Sequence, residues 1–112
     1  MAWPTEILMA STWNTDMIKQ LGVLFGQDTI SINVAGVYGP GANIHRSPYS
    51  GRNFEYYSEN AHLSYAMAKS EIEGLRSKGV ITYTKHFFLN DQETNRYGGA
   101  IFANEQAIRE IY

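Results

Sequence analysis

Side chains able to grip a polar ligand gather in two stretches of this 112-residue chain. The first follows Tyr38 and carries Asn43, His45, Arg46, Arg52, Asn53 and Glu55. The second follows Thr84 and carries Lys85, His86, Asn90, Asp91, Glu93 and Arg96. Lysine and arginine only donate hydrogen bonds, carboxylates only accept them, and bonds with one charged partner are the stronger ones. Such polar density at two places points to a site that holds a polar ligand.

Each residue also has a plainer role open to it. Lys85 can be a solvated strand end, and His86, flanked by Phe87 and Phe88, a hydrogen-bonded core histidine. Arg52 can tie its own loop by pairing with Glu55, and Asp91 and Glu93 can serve as turn or salt-bridge residues. Other chemistries are weaker. The glycines of GVYGPG lack dinucleotide spacing, and Pro40 removes an amide that a phosphate cradle needs. His45, His62 and His86 show no metal-ligand spacing, so no metal is expected. No G-x-S-x-G elbow occurs, and no cofactor is called for.

Composition narrows the class further. The net charge is −2 and the nine Lys and Arg are scattered singly, which argues against a nucleic-acid surface. No apolar run reaches the roughly 18 residues that cross a bilayer, so no membrane partner is expected. A hydrophobic content of 44% is enough to build a core. The absence of cysteine leaves the compartment open. Neither the opening Met1-Ala2-Trp3-Pro4-Thr5 nor the closing Tyr112 looks like a finished end, and no element is expected to lead in.

The two stretches need elements to position them. Met17, Leu21, Leu24 and Phe25 recur at helical spacing over 15–28. A strand is expected over 32–38, ended by Gly39-Pro40-Gly41. A long loop over 40–58 leads to a helix over 60–77, capped by Ser58, with Leu63, Met67 and Leu75 buried and Gly79 as its stop. Val80 to Thr84 reads as a second strand, apolar enough to be covered on both faces. After a polar loop over 89–98, Asn104 caps a last helix with Ala107, Ile108, Ile111 and Tyr112 on its apolar face. This alternation predicts an α/β fold with parallel strands. Two strands leave their outer edges unpaired, so further strands are expected beside them. In such sheets ligands sit at the carboxyl ends of the strands, where both polar stretches lie.

Longer motifs carry a resemblance. YGPGANIHRSPYSGRNFEYYSEN over 38–60 resembles a segment of glycoside hydrolase family 3, in which G-P-G-x-N-I-x-R leads to G-R-N-F-E and S-E-D. KHFFLNDQETNR over 85–96 is similar to that family's K-H-F segment with its N-x-x-E-x-x-R pattern. WPTEILMASTWN over 3–14 and ANEQAIREIY over 103–112 match it in the same order. Asn60 departs from the family's Asp, and INVAGVY is less apolar than the family's strand.

The resemblance implies that residues 1–112 are an internal part of an N-terminal (β/α)8 barrel domain, about three βα units of a TIM barrel with parallel strands. It implies a retaining β-glucosidase acting on terminal non-reducing β-D-glucosyl residues. By motif, Arg52, Lys85, His86 and Arg96 bind the hydroxyls of one sugar ring, His86 as a directional donor with aromatic neighbours excluding water. Glu55, Asn90, Asp91 and Glu93 orient them. The family's nucleophile lies in an S-D-W motif that these residues lack, and its acid/base lies in a second domain. The two reacting carboxyls, about 5–5.5 Å apart in a retaining enzyme, are therefore expected outside the chain, which alone is inactive. The alternative is a non-catalytic carbohydrate-binding or assembly module that completes its sheet by oligomerising.

Overall fold

The computed structural model describes residues 2–112. Its elements run α1 (Glu6–Ala10), α2 (Thr15–Ser31), β1 (Gly36–Val37), α3 (Ala61–Arg76), β2 (Ile81–Thr82) and α4 (Glu105–Glu110), with a 3-10 turn over Asn53–Glu55. β1 and β2 pair in parallel, Gly36 opposite Ile81 and Val37 opposite Thr82. No helix among the described residues is long and apolar enough to cross a membrane.

Helix α2 begins where an asparagine can satisfy a free amide: Asn14 Oδ1 accepts from the Met17 N–H at 3.0 Å. It continues three residues past the expected end. Its buried face also differs from the expected one. Met17 and Leu24 are exposed, while Ile18, Gly22, Gly26 and Thr29 are buried. The cause lies in the glycines. α2 lies against α3, and a β-carbon at Gly22 would stand 2.5 Å from the Glu71 carbonyl oxygen. The helices thus meet backbone to backbone along the Ile18–Gly22–Gly26 line, which turns the neighbouring bulky line outward.

Asn60, and not Ser58, caps α3, its Oδ1 accepting from Leu63 N–H at 2.9 Å. Ser58 supports the cap, its Oγ accepting from the Asn60 N–H at 3.0 Å. Met67 and Leu75 are buried as expected, and Gly79 follows at φ +82°, a left-handed conformation that favours glycine. Asn104 caps α4 through a 2.8 Å bond from Ala107 N–H. α1 was not expected; it buries Met9 and Ala10. These two join Ile18, Tyr57, Met67 and Ala68 in the core, with Leu21, Ala42 and Leu63 packed around it.

Both strands are shorter than their sequence patterns suggest. Ile32 ends α2, Asn33 takes a positive φ, and Val34 N–H bonds back to the Thr29 carbonyl at 3.1 Å. Those residues close a helix instead of opening a strand. Val80 is buried, but Ile81 is 52% exposed, so β2 is covered on the side of α3 and not on both faces. Tyr38 and Tyr83 stack outside the sheet with ring centroids 5.1 Å apart.

Candidate functional site

Beyond β1 and β2 the two stretches pair once more, one residue out of the strands' register. Gly41 pairs with Lys85 in parallel, Ala42 N–H donates to the Lys85 carbonyl at 2.7 Å, and Lys85 N–H to the Pro40 carbonyl at 3.1 Å. The peptides Gly39–Pro40 and Lys85–His86 are both cis. This pairing sets the stretch after β1 and the stretch after β2 side by side at the carboxyl ends of the strands. The loop carrying Arg52 is pinned separately: Asn53 Nδ2 donates to the Ser47 carbonyl at 2.8 Å, and Ser50 Oγ donates to Asn53 Oδ1.

Alternating charges then join three segments. Arg52 meets Glu55 in two bonds of 2.7 Å, Nε to Oε2 and Nη2 to Oε1. Lys85 Nζ reaches the same Glu55 Oε1 at 2.8 Å. The third guanidinium nitrogen, Arg52 Nη1, lies 3.4 Å from Glu93 Oε1. Glu93 Oε2 takes Arg96 Nη1 at 3.1 Å. The order is Lys85, Glu55, Arg52, Glu93, Arg96. Side chains of Arg52, Glu55 and Glu93 are 17–21% exposed, so these pairs are partly shielded from water and weakly screened.

The cations set the protonation of the acids. The Arg52 guanidinium, with Lys85 beside it, holds the Glu55 carboxyl down at about 2 against desolvation. The hydrogen bond from Asn90, then Arg96 and Arg52, hold Glu93 below the usual carboxylate range. Glu55 in turn raises Arg52. Both carboxylates are therefore ionised at neutral pH, and neither is a proton donor to a leaving group. What the cluster offers is spare N–H donors from three cations, a chemistry of holding hydroxyls or anions.

His86 joins through neutral groups. Its Nδ1 lies 2.9 Å from Asn43 Oδ1 and 3.2 Å from the Tyr56 hydroxyl. Asn90 Nδ2 donates to that hydroxyl at 2.6 Å and to Glu93 Oε1 at 2.8 Å. Partial burial, then the Arg52 and Lys85 charges, lower the His86 pKa, so the ring is neutral at pH 7. A hollow of about 200 Å³ runs along Asn90, Gln92, Thr94 and Arg96. A larger one of about 390 Å³ lies at the start of β2, along Arg76, Gly79 and Val80, away from these charges. Among the described residues no group of three or more His, Asp or Glu is placed to hold a metal ion.

Comparison with known proteins now decides the family. The model of the glycosyl hydrolase family 3 N terminal domain matches residues 2–111. This chain belongs to glycoside hydrolase family 3. It is 45% identical over 111 residues to β-glucosidase A of Butyrivibrio fibrisolvens, covering 99% of this chain and 13% of that protein. It is 47% identical over 109 residues to a β-glucosidase of Ruminococcus albus, covering 97% of this chain and 12% of that one. A β-glucosidase from Streptomyces venezuelae, solved in complex with D-glucose, superposes with a TM-score of 0.94 at 37% identity, over 98% of this chain and 14% of that chain. The chain thus spans about an eighth of the length of the curated family 3 relatives it matches, and its α/β fold with a two-stranded parallel sheet matches the solved one.

Within this family 3 segment, Arg52, Lys85, His86 and Arg96 come together in one linked cluster; Glu55 and Glu93 contact the cations, and Asn90 bridges Glu93 to the Tyr56 hydroxyl that meets His86. Asp91 stands apart from the cations, contrary to expectation: its Oδ1 accepts from the Tyr112 hydroxyl at 3.1 Å, tying the loop to the end of α4. The aromatic neighbours do not enclose the histidine either. Phe87 is 94% exposed and packs edge-on to Phe88, with centroids 4.6 Å apart. Two contributors were given no role by the sequence, Tyr56 and Asn43. Tyr56 sits in an aromatic pair that reads as core. Asn43 was visible as one polar residue among several, with nothing to single it out.

Proposed function

We propose that this chain is an internal stretch of a family 3 barrel domain, about three βα units of a (β/α)8 barrel, and that it supplies half of a sugar-binding subsite of a retaining β-glucosidase. Arg52, Lys85, His86 and Arg96 hold the hydroxyls of a terminal non-reducing β-D-glucosyl residue, with Glu55, Asn90 and Glu93 fixing their positions. The nucleophile and the acid/base come from outside these residues. The observation that carries this reading is the linked chain of cations and carboxylates at the carboxyl ends of two parallel strands. The D-glucose complex of the Streptomyces relative supports a sugar as the ligand.

The test is a chimera in which this chain replaces the matching segment of the Ruminococcus β-glucosidase. It should hydrolyse an aryl β-D-glucoside, while the 112-residue chain alone should not. A hydrogen bond to a charged group contributes about 1.5–3 kcal/mol, so Lys85→Ala or Arg52→Ala in the chimera should lower kcat/KM about 10- to 100-fold. An active chimera indifferent to both changes would overturn the assignment, as would turnover by the isolated chain. Light scattering of that chain addresses the alternative of a self-assembling carbohydrate-binding module, which requires a discrete oligomer.

A further inference from the structure

The contacts around His86 determine which of its ring nitrogens carries the proton. Asn43 Oδ1 accepts from the His86 backbone N–H at 2.6 Å. That bond orients the amide, because turning it over would set two donors against each other at the same distance. Asn43 is also buried, at 5% exposure, which keeps it from swinging away. The same oxygen lies 2.9 Å from His86 Nδ1. An amide oxygen cannot donate, so this contact is a hydrogen bond only when Nδ1 bears the proton.

Tyr56 is compatible with that assignment. Its hydroxyl oxygen has two lone pairs, one taken by Asn90 Nδ2 at 2.6 Å and one free for the Nδ1–H at 3.2 Å. The opposite tautomer would let Tyr56 donate to Nδ1. It would also leave the Asn43 oxygen and a nitrogen lone pair facing each other at 2.9 Å in a buried place, which is costly. The shorter contact decides.

We propose that Asn43 is a positioning residue that fixes the neutral His86 ring with its proton on Nδ1, leaving Nε2 as a hydrogen-bond acceptor. Nε2 makes no hydrogen bond among the described residues, so it is free to meet a ligand. This reverses the expectation that His86 donates. Its consequence for the sugar rests on the function proposed above. Arg52, Lys85 and Arg96 can only donate, and the Glu55 and Glu93 oxygens already hold cations. His86 Nε2 then accepts a hydrogen bond from a sugar hydroxyl whose oxygen accepts from a cation. The tautomer itself does not depend on that reading.

Nitrogen-15 NMR of the imidazole rings tests it, at a pH above the His86 titration. The chain has three histidines, and His86→Gln assigns the signal. The expected spectrum shows Nδ1 protonated and Nε2 bare. Asn43→Ala should move the ring towards the Nε2–H form that free histidine prefers, and Asn43→Asp, which keeps an oxygen acceptor, should restore Nδ1–H. Wild-type protein with the proton on Nε2 overturns the proposal, whether or not the variants fold. So does a folded Asn43→Ala protein with unchanged ring signals. If Nδ1–H is found while the chimera ignores Arg52 and Lys85, the sugar assignment fails and the tautomer stands. A dependent chimera with an Nε2–H ring gives the reverse.

Discussion

Replacing Glu55 with glutamine removes one charge and keeps the shape of the group that joins Lys85 to Arg52 in the ion chain. Arg52 first and Lys85 second bring Glu55 from its ordinary 4.5 to about 2, and its side chain is only 17% exposed. At about 1.4 kcal/mol per pH unit, that depression favours the folded state by about 3 kcal/mol once the carboxylate is ionised. A depressed carboxyl contributes its stability above the unfolded value, here 4.5, and loses it as the pH falls through about 2. Glu55→Gln is therefore expected to be about 2–3 kcal/mol less stable than wild type at pH 7, with the gap closing between pH 4.5 and pH 2. Urea unfolding at several pH values, followed by fluorescence of Trp3 and Trp13, measures it. A gap that stays constant across this range, or one below about 0.5 kcal/mol at pH 7, would refute the idea that Arg52 and Lys85 converge on this carboxylate.

Glu71 gives the opposite sign. It is buried in α3, accepts from the Tyr57 hydroxyl, and is held up at about 7 by desolvation. A raised carboxyl stabilises the fold below its unfolded value of 4.5 and loses that contribution as the pH rises through about 7. Glu71→Gln should thus gain on wild type by about 2–3 kcal/mol between pH 5 and pH 8, which urea unfolding at the two pH values reads directly. Gly74→Ala tests the helix crossing. Its β-carbon would strike the Lys19 carbonyl oxygen and stand 2.7 Å from the Val23 nitrogen, so a loss of about 1–3 kcal/mol is expected in thermal unfolding.

The polar cluster was more legible in the sequence than the elements that hold it. Arg52, Glu55, Lys85, Asn90, Glu93 and Arg96 are charged or amide side chains in two stretches that follow apolar runs, and their types alone state what they can bond. The elements were harder. α1 has five residues, too short to display a helical period. Each strand has two ladder residues, while the apolar pattern around them extends into turns and helix ends. The face of α2 was misjudged because side-chain bulk marks a buried stripe in most helices, whereas here the absence of side chains at Gly22 and Gly26 admits α3. Asp91 and Glu93 look equivalent in the sequence, and only the course of the loop separates the one that meets Arg52 from the one that meets Tyr112. Glu71 lies four residues after Met67 and four before Leu75, on the stripe read as buried, and only its charge sets it apart from that stripe.

The ion chain also has a consequence for the moment of encounter with a ligand. Residues 42–52 and 85–98 carry no helix and only an isolated strand pair, and the bonds of Glu55 and Glu93 fasten these stretches to each other. Arg52 and Lys85, two of the most freely rotating side-chain types, are thereby immobilised when the polypeptide folds. Freezing such a side chain at an interface costs about 0.5–1.5 kcal/mol, a loss incurred here before any ligand arrives. Any ligand that docks there meets a surface whose donors are already standing still.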